Sequence, residues 1–194
     1  MKNIVALCGP SGVGKGYVKD LVLQRASVAV FEPVVITTRK ERSDDGRNRR
    51  AGIAIADFQN EVELGTAILP HQPFGENAPY YAFDSDSFRH RNLLTEIHPL
   101  ILEQFRATFS SEKLLVLAMT AEEDFLRGTI LQRNPDAIDI GLRIANGALE
   151  TNLISRGKKS GAIDQTFEIT QDNRDEIQSK IAQIAIDWFS YGNI

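Results

Sequence analysis

Cysteine is nearly absent from this chain: Cys8 is the only one in 194 residues. That excludes a disulfide framework and any cysteine-based metal cluster, and Cys8 itself, inside an apolar stretch, reads as a small buried thiol. Histidine is scarce as well, and His71, His90 and His98 are scattered without metal-ligand spacing. Long apolar runs are missing too. The first, Ile4 to Cys8, is too short for the core of a signal peptide, and no stretch approaches the roughly 20 residues that span a bilayer. Surplus positive charge is also lacking, since the formal net charge is -4. Any basic surface must therefore be local, with no global pull toward nucleic acid or anionic lipid. These absences lead to the expectation of a cytoplasmic protein with neither nucleic acid nor membrane as a partner. Monomer and homodimer both stay open.

What is present is ordinary for a globular domain. The chain is 42% hydrophobic and 25% charged, enough to build one domain with a sizeable core and a small insertion. "NIVALC" (3–8) reads as a buried strand, followed directly by a glycine-rich loop and by helical spacing through Val18, Leu21 and Val22. "VAVFEPVVITT" (28–38) is a β-rich segment interrupted by Pro33, and a short helix is expected near 57–64. "NLLTEI" (92–97) and "KLLVLAMT" (113–120) are expected strands, with a helix from Pro99 between them. Helices near 121–132 and 137–153 flank a turn at Asn134-Pro135-Asp136. "RGKKSG" (156–161) reads as a basic loop, "QTFEIT" (165–170) as the last strand, and the end of the chain as an amphipathic helix. Strands alternating with helices predict an α/β fold around a parallel sheet with right-handed crossovers.

The loop carries the first chemistry. In "GPSGVGKG" (9–16), Gly9, Gly14 and Lys15 match G-x-x-x-x-G-K. Glycines let the backbone of Ser11, Gly12, Val13 and Gly14 wrap so that N–H groups face phosphate oxygens. The helix N-terminus and the Lys15 ammonium add positive charge. ATP is the expected nucleotide. The next position usually offers a hydroxyl to Mg²⁺, but here it is Gly16. A hydrated Mg²⁺ held mainly by the nucleotide's phosphates remains chemically acceptable. "RKERSDDGRNRR" (39–50) then concentrates six Lys or Arg in twelve residues. Guanidinium forks close together on a loop suit a phosphate dianion.

With these motifs in order, the chain resembles the guanylate kinase family over most of its length. "TTRKER" (37–42) is similar to the family's Thr-Thr-Arg-x-x-Arg, which implies that Thr37, Arg39 and Arg42 hold the phosphate of an acceptor nucleotide. "APYYAF" (78–83) looks like the segment lining the acceptor site, with Tyr81 as candidate and Tyr80 second. Arg133 and Arg143 flank "NPDAIDIGL" much as two arginines flank the family's lid. The resemblance implies that they close over ATP and offset charge on the transferred group. Glu96, near the end of "LLTEI", is a possible substitute for a family carboxylate, with reach to a hydrated metal or an acceptor group.

The fold implied is a three-layer P-loop kinase, its core formed by 1–36 and 89–194. An acceptor-binding subdomain at about 37–88 and a helical lid at about 127–145 complete it. The chain departs from the family where the guanine ring is read, since "TAILPH" offers no carboxylate and Glu63 is out of register, and again after the loop, where Tyr17 takes the place of a Thr that bears on metal handling. The acceptor is therefore expected to be a nucleoside monophosphate, GMP first, or a sugar phosphate such as ribose 1,5-bisphosphate. The competing class is a non-catalytic binding module of the same fold. Asp84 and Asp86 in "FDSDSF" read as a helix start, and Trp188 and Phe189 as core.

Overall fold

The computed structural model describes residues 1–41, 48–133 and 140–191, the side chains of Arg133, Ile140, Leu142 and Arg143 excepted. Arg42, Asp44, Asp45, Arg47 and the turn at 134–136 lie outside the described residues. Within them, the expected α/β architecture is present. A central sheet of four parallel strands runs in the order β6 (Asn92–Ile97), β1 (Asn3–Cys8), β7 (Lys113–Ala121), β8 (Gln165–Ile169).

Strand β1 shows why the sheet needs two covers. All six residues are buried, and their side chains alternate between faces. Val5 and Leu7 join Val18, Leu21 and Val22 of α1 (Lys15–Arg25), together with Ile181, Ala185 and Phe189 of α6 (Arg174–Tyr191). Ile4, Ala6 and Cys8 point the other way. They meet Leu102 and Phe105 of α3 (Leu102–Thr108) and Ile154 of α5 (Ile140–Ser160). Each such aliphatic side chain stabilises by about 1.5–3 kcal/mol on burial, so the strand anchors both halves of the core.

A second, smaller sheet has the order β3 (Arg49–Arg50), β2 (Val35–Thr37), β5 (Tyr81–Asp84), β4 (Ala67–His71). Helix α2 (Ile55–Glu63) packs on it through Phe58, beside Ile36, Ala67 and Ala82. Residues 28–38 are thus not one strand. Phe31 makes an isolated parallel bridge to Leu93 of the central sheet, and Val35–Thr37 belongs to the second. Pro33, without an N–H to donate, marks the break between the two.

The stretch 156–161 also differs from expectation: 156–160 are the last part of α5, and only Gly161 lies in the turn after it. A glycine is needed at 157 because Leu102 Cδ1 and Ile163 Cδ1 lie 3.0 and 3.1 Å from where a Cβ would sit. Lys158 and Lys159 complement the helix's negative end. The helix closes at Gly161, whose φ is +78°. There the Ala162 N–H bonds Gly157 O at 2.8 Å and the Gly161 N–H bonds Lys158 O at 3.4 Å, a Schellman arrangement. Among the described residues no helix is long and apolar enough to cross a membrane.

Candidate active site

Parallel strands deliver their carboxyl ends to one edge of a sheet, and there β1 passes into the glycine loop and α1. The loop is tightly enclosed. A Cβ on Gly9 would lie 2.7 Å from Met119 O, and Gly14 has a φ of +100° with the Gln178 amide packed where a side chain would project. Lys15 Nζ donates to Gly9 O at 2.8 Å and Pro10 O at 3.0 Å, which folds the ammonium over the loop. Cys8, directly beneath, is pushed by burial from 9.0 up to about 12, with smaller opposing and reinforcing effects of Lys15 and Glu150. It stays a thiol at neutral pH and is no nucleophile.

A cleft of 740 Å³ opens between this loop and the second sheet. Gly9, Ser11, Lys15 and Gly16 line one side, while Arg39, Arg49, His71 and Tyr81 line the other. Glu96 lies between them at the end of β6. Of the residues singled out in the sequence, the fold thus gathers Gly9, Ser11, Lys15, Gly16, Arg39, Tyr81 and Glu96 around one space. Gly12, Val13 and Gly14 shape the loop from behind it: Val13 is fully buried and Gly12 abuts Ile130 and Leu126.

Thr37 does not line the cleft. Fully buried, its hydroxyl donates to Tyr80 O at 2.8 Å and accepts the Arg39 N–H at 3.1 Å. It fixes the backbone that presents Arg39, whose Nη1 donates to Lys40 O at 2.9 Å. Tyr80 packs against Phe58 with ring centroids 5.5 Å apart. Asp84 caps the 3₁₀ turn Ser85–Arg89, its Oδ1 accepting the Asp86 N–H at 2.9 Å, as expected of a helix start.

Several neighbours carry no local sequence signal. His71 and His98, far apart in the chain, come within 6.3 Å, and His71 stacks on Tyr81 at 5.8 Å. His71 Nδ1 lies 3.0 Å from Leu69 O. A carbonyl can only accept, so Nδ1 carries the proton and Nε2 presents a lone pair. Burial, with a smaller push from His98, takes the ring from 6.5 down to about 4, against the opposing Leu69 bond. The cleft wall here is therefore an uncharged acceptor at neutral pH. Glu150 of α5 is buried beneath the loop, its Oε2 accepting the Ser11 N–H at 3.2 Å and its Oε1 lying 2.8 Å from His98 Nε2. His98 Nδ1 already accepts the Leu100 N–H at 3.1 Å, so Nε2 is the donor to Glu150. A second pocket of 310 Å³ meets the loop at Ser11 and is walled by Ala121 and Leu126 on one side and Ile144 and Thr151 on the other.

No family model and no curated protein matches this chain. Among solved structures, guanylate kinase from Anaplasma phagocytophilum superposes with a TM-score of 0.67 at 16% identity, covering 95% of this chain and 84% of that one. The fold is guanylate kinase-like. Shikimate kinase from Acinetobacter baumannii, in complex with shikimate, gives a TM-score of 0.45 at 14% identity, covering 96% of this chain and 94% of that one. At these identities the likeness concerns the backbone, and the site must speak through its own residues.

Within this guanylate kinase-like frame, a divalent cation liganded by the protein does not fit the start of α1. Gly16 has no side chain to offer, and Tyr17 is 43% exposed. The Glu96 carboxylate, 3.8 Å from where a Gly16 Cβ would lie, is engaged by Lys19 Nζ at 3.2 Å. Among the described residues, no group of three or more His, Cys, Asp or Glu is placed to hold a metal ion.

Proposed function

We propose that this chain transfers the γ-phosphoryl group of ATP to a phosphate-bearing acceptor, a nucleoside monophosphate with GMP as first candidate. The observation that carries the reading is the placement of Lys15 and its glycine loop across one cleft from Arg39 and Tyr81. Two phosphate-binding devices facing each other are what in-line transfer between two phosphorylated molecules requires.

In this reading the loop amides and Lys15 hold the donor's terminal phosphates, and the adjoining pocket at Ala121, Leu126 and Ile144 takes its adenine ring. Arg39 holds the acceptor's phosphate, and the Tyr81 and His71 rings support the rest of that molecule. The neutral His71 Nε2 favours an acceptor that presents an N–H or O–H donor at that point. An ionised acceptor phosphate needs no general base. Arg133 and Arg143 are proposed to close over the reacting group from the lid, with residues 37–88 as the acceptor-binding part. Arg42 joins Arg39 on the same grounds of charge and spacing. Any Mg²⁺ would arrive on the nucleotide's own phosphates and supply charge neutralisation there.

The test is ATP consumption against GMP, dGMP, AMP, CMP, UMP, dTMP and ribose 1,5-bisphosphate. One acceptor is expected to give turnover, and Lys15→Ala should lower kcat by about two orders of magnitude or more. Turnover retained without the ammonium would reduce the loop to a structural turn. ATP binding without turnover on any acceptor would favour the binding-module class.

A further inference from the structure

Lys15 has a neighbour one helical turn on. Residues four apart share a helix face, and Lys19 lines the same cleft as Lys15. Its ammonium lies 2.7 Å from Glu32 Oε1 and 3.2 Å from Glu96 Oε1. Glu32 sits where the chain leaves the central sheet, and its Oε2 also accepts from Asn48 Nδ2 at 3.2 Å. A side chain at position 16 would reach toward the Glu96 oxygen that Lys19 holds. Position 16, where a loop hydroxyl would help a carboxylate grip a divalent cation, thus offers no hydroxyl, and an ammonium clamped by two carboxylates lies beside it.

The charges on both partners are secure. Burial pushes Glu96 up, but Lys15, Lys19 and Arg49 outweigh it and hold the carboxyl below its ordinary range. Burial pulls Lys19 down, and Glu96 and Glu32 outweigh it and hold the ammonium above its ordinary range. Two of three ammonium protons face the carboxylates, which leaves one for a phosphate oxygen in the cleft.

We propose that Lys19 is the built-in cation of this cleft, standing in the position of a protein-bound divalent metal, with Glu32 and Glu96 committed to it. Its service to bound phosphates rests on the phosphotransfer reading above. The placement of the charge does not, and the two are tested apart.

Mn²⁺ binding to the nucleotide-free protein is read by electron paramagnetic resonance. The wild-type chain and Lys19→Arg are expected to bind none in this corner. Lys19→Ala releases two neighbouring carboxylates and is expected to gain one Mn²⁺ per chain. That site should vanish in Lys19→Ala/Glu96→Gln, and Mn²⁺ should raise the melting temperature of Lys19→Ala but not of the double variant. Should Lys19→Ala fail to fold, Lys19→Gln, which fills most of the space, carries the same measurement. A folded variant that gains no Mn²⁺ overturns the proposal. So does a wild-type Mn²⁺ site that Glu96→Gln abolishes.

In turnover with the productive acceptor, Lys19→Ala should lose about tenfold in kcat/KM and regain part of it as Mg²⁺ is raised. Unchanged kcat/KM would overturn the phosphate-facing role. A wild-type chain without turnover would defeat the phosphotransfer reading and leave the Mn²⁺ result to decide the cation's place.

Discussion

At the scale of single residues, the cleft pairs groups whose roles separate by chemistry. Arg39 is held by its own neighbours, the Thr37 hydroxyl taking its backbone N–H. Arg39→Ala should therefore raise the acceptor KM by about tenfold or more and leave the ATP KM near its wild-type value. Steady-state kinetics with each substrate varied in turn checks this, and equal effects on both would remove Arg39 from the acceptor side. His71 makes a pH prediction with a defined sign. Its folded-state pKa is depressed from 6.5 to about 4. It thus contributes stability that is present above 6.5 and lost as the pH falls toward 4. The upper bound is about 3 kcal/mol. Urea unfolding of wild type and His71→Asn across that window should show the shallower pH dependence in the variant. Parallel curves would mean that the ring is solvated.

At the scale of elements, the junction between loop and α1 is the most constrained point. Gly14 combines a left-handed backbone with the Gln178 amide of α6 packed against its Cα. Gly14→Ala should cost about 2 kcal/mol or more in unfolding free energy and weaken ATP binding. Denaturant melts and titration calorimetry read the two effects, and a neutral substitution would mean that the loop's shape is not fixed by α6. Most elements were legible in the sequence because period and punctuation agree: β1 and β7 are largely apolar runs, β6 and β8 are short segments with apolar residues between polar ones, and Gly9-Pro10 ends the first. The end of α5 was not. Gly157 and two lysines imitate a loop locally; the close approach of Leu102 and Ile163 accounts for the glycine, and the negative end of the helix for the lysines. The division of 28–38 is similar, since Pro33 announces a break but cannot say that the pieces join different sheets. In the site, Gly9, Ser11, Lys15, Arg39 and Tyr81 carry their signals in short motifs. Glu150 and Lys19 do not. Glu150 reaches Ser11 across 139 positions, and Lys19 is an ordinary helix lysine until Glu32 and Glu96 converge on it.

At the scale of the molecule, the loop and the Arg39–Tyr81 wall belong to different sheets on opposite sides of one cleft. If the cleft performs the proposed transfer, water must be kept from the reacting group, so approach of the two sides is expected on binding. Small-angle X-ray scattering should give a smaller radius of gyration with a non-hydrolysable ATP analogue plus acceptor than with either alone. An unchanged radius with both would argue for a preformed site.

The path of the chain between the sheets has a further consequence. It leaves the central sheet after Phe31 and returns at Asn92, and the ends of the excursion touch: the Asp84 N–H bonds Val34 O at 2.9 Å and Val35 pairs with Phe83. Arg39, Arg49, His71 and Tyr81 all ride on the excursion, while Lys15, Lys19 and Glu96 stay behind. A segment whose two ends meet in one antiparallel pair behaves as an exchangeable cartridge. Replacing everything between Val34 and Asp84 would change the wall that faces the glycine loop without altering a bond inside the loop, so the two sides of the cleft can change on separate schedules.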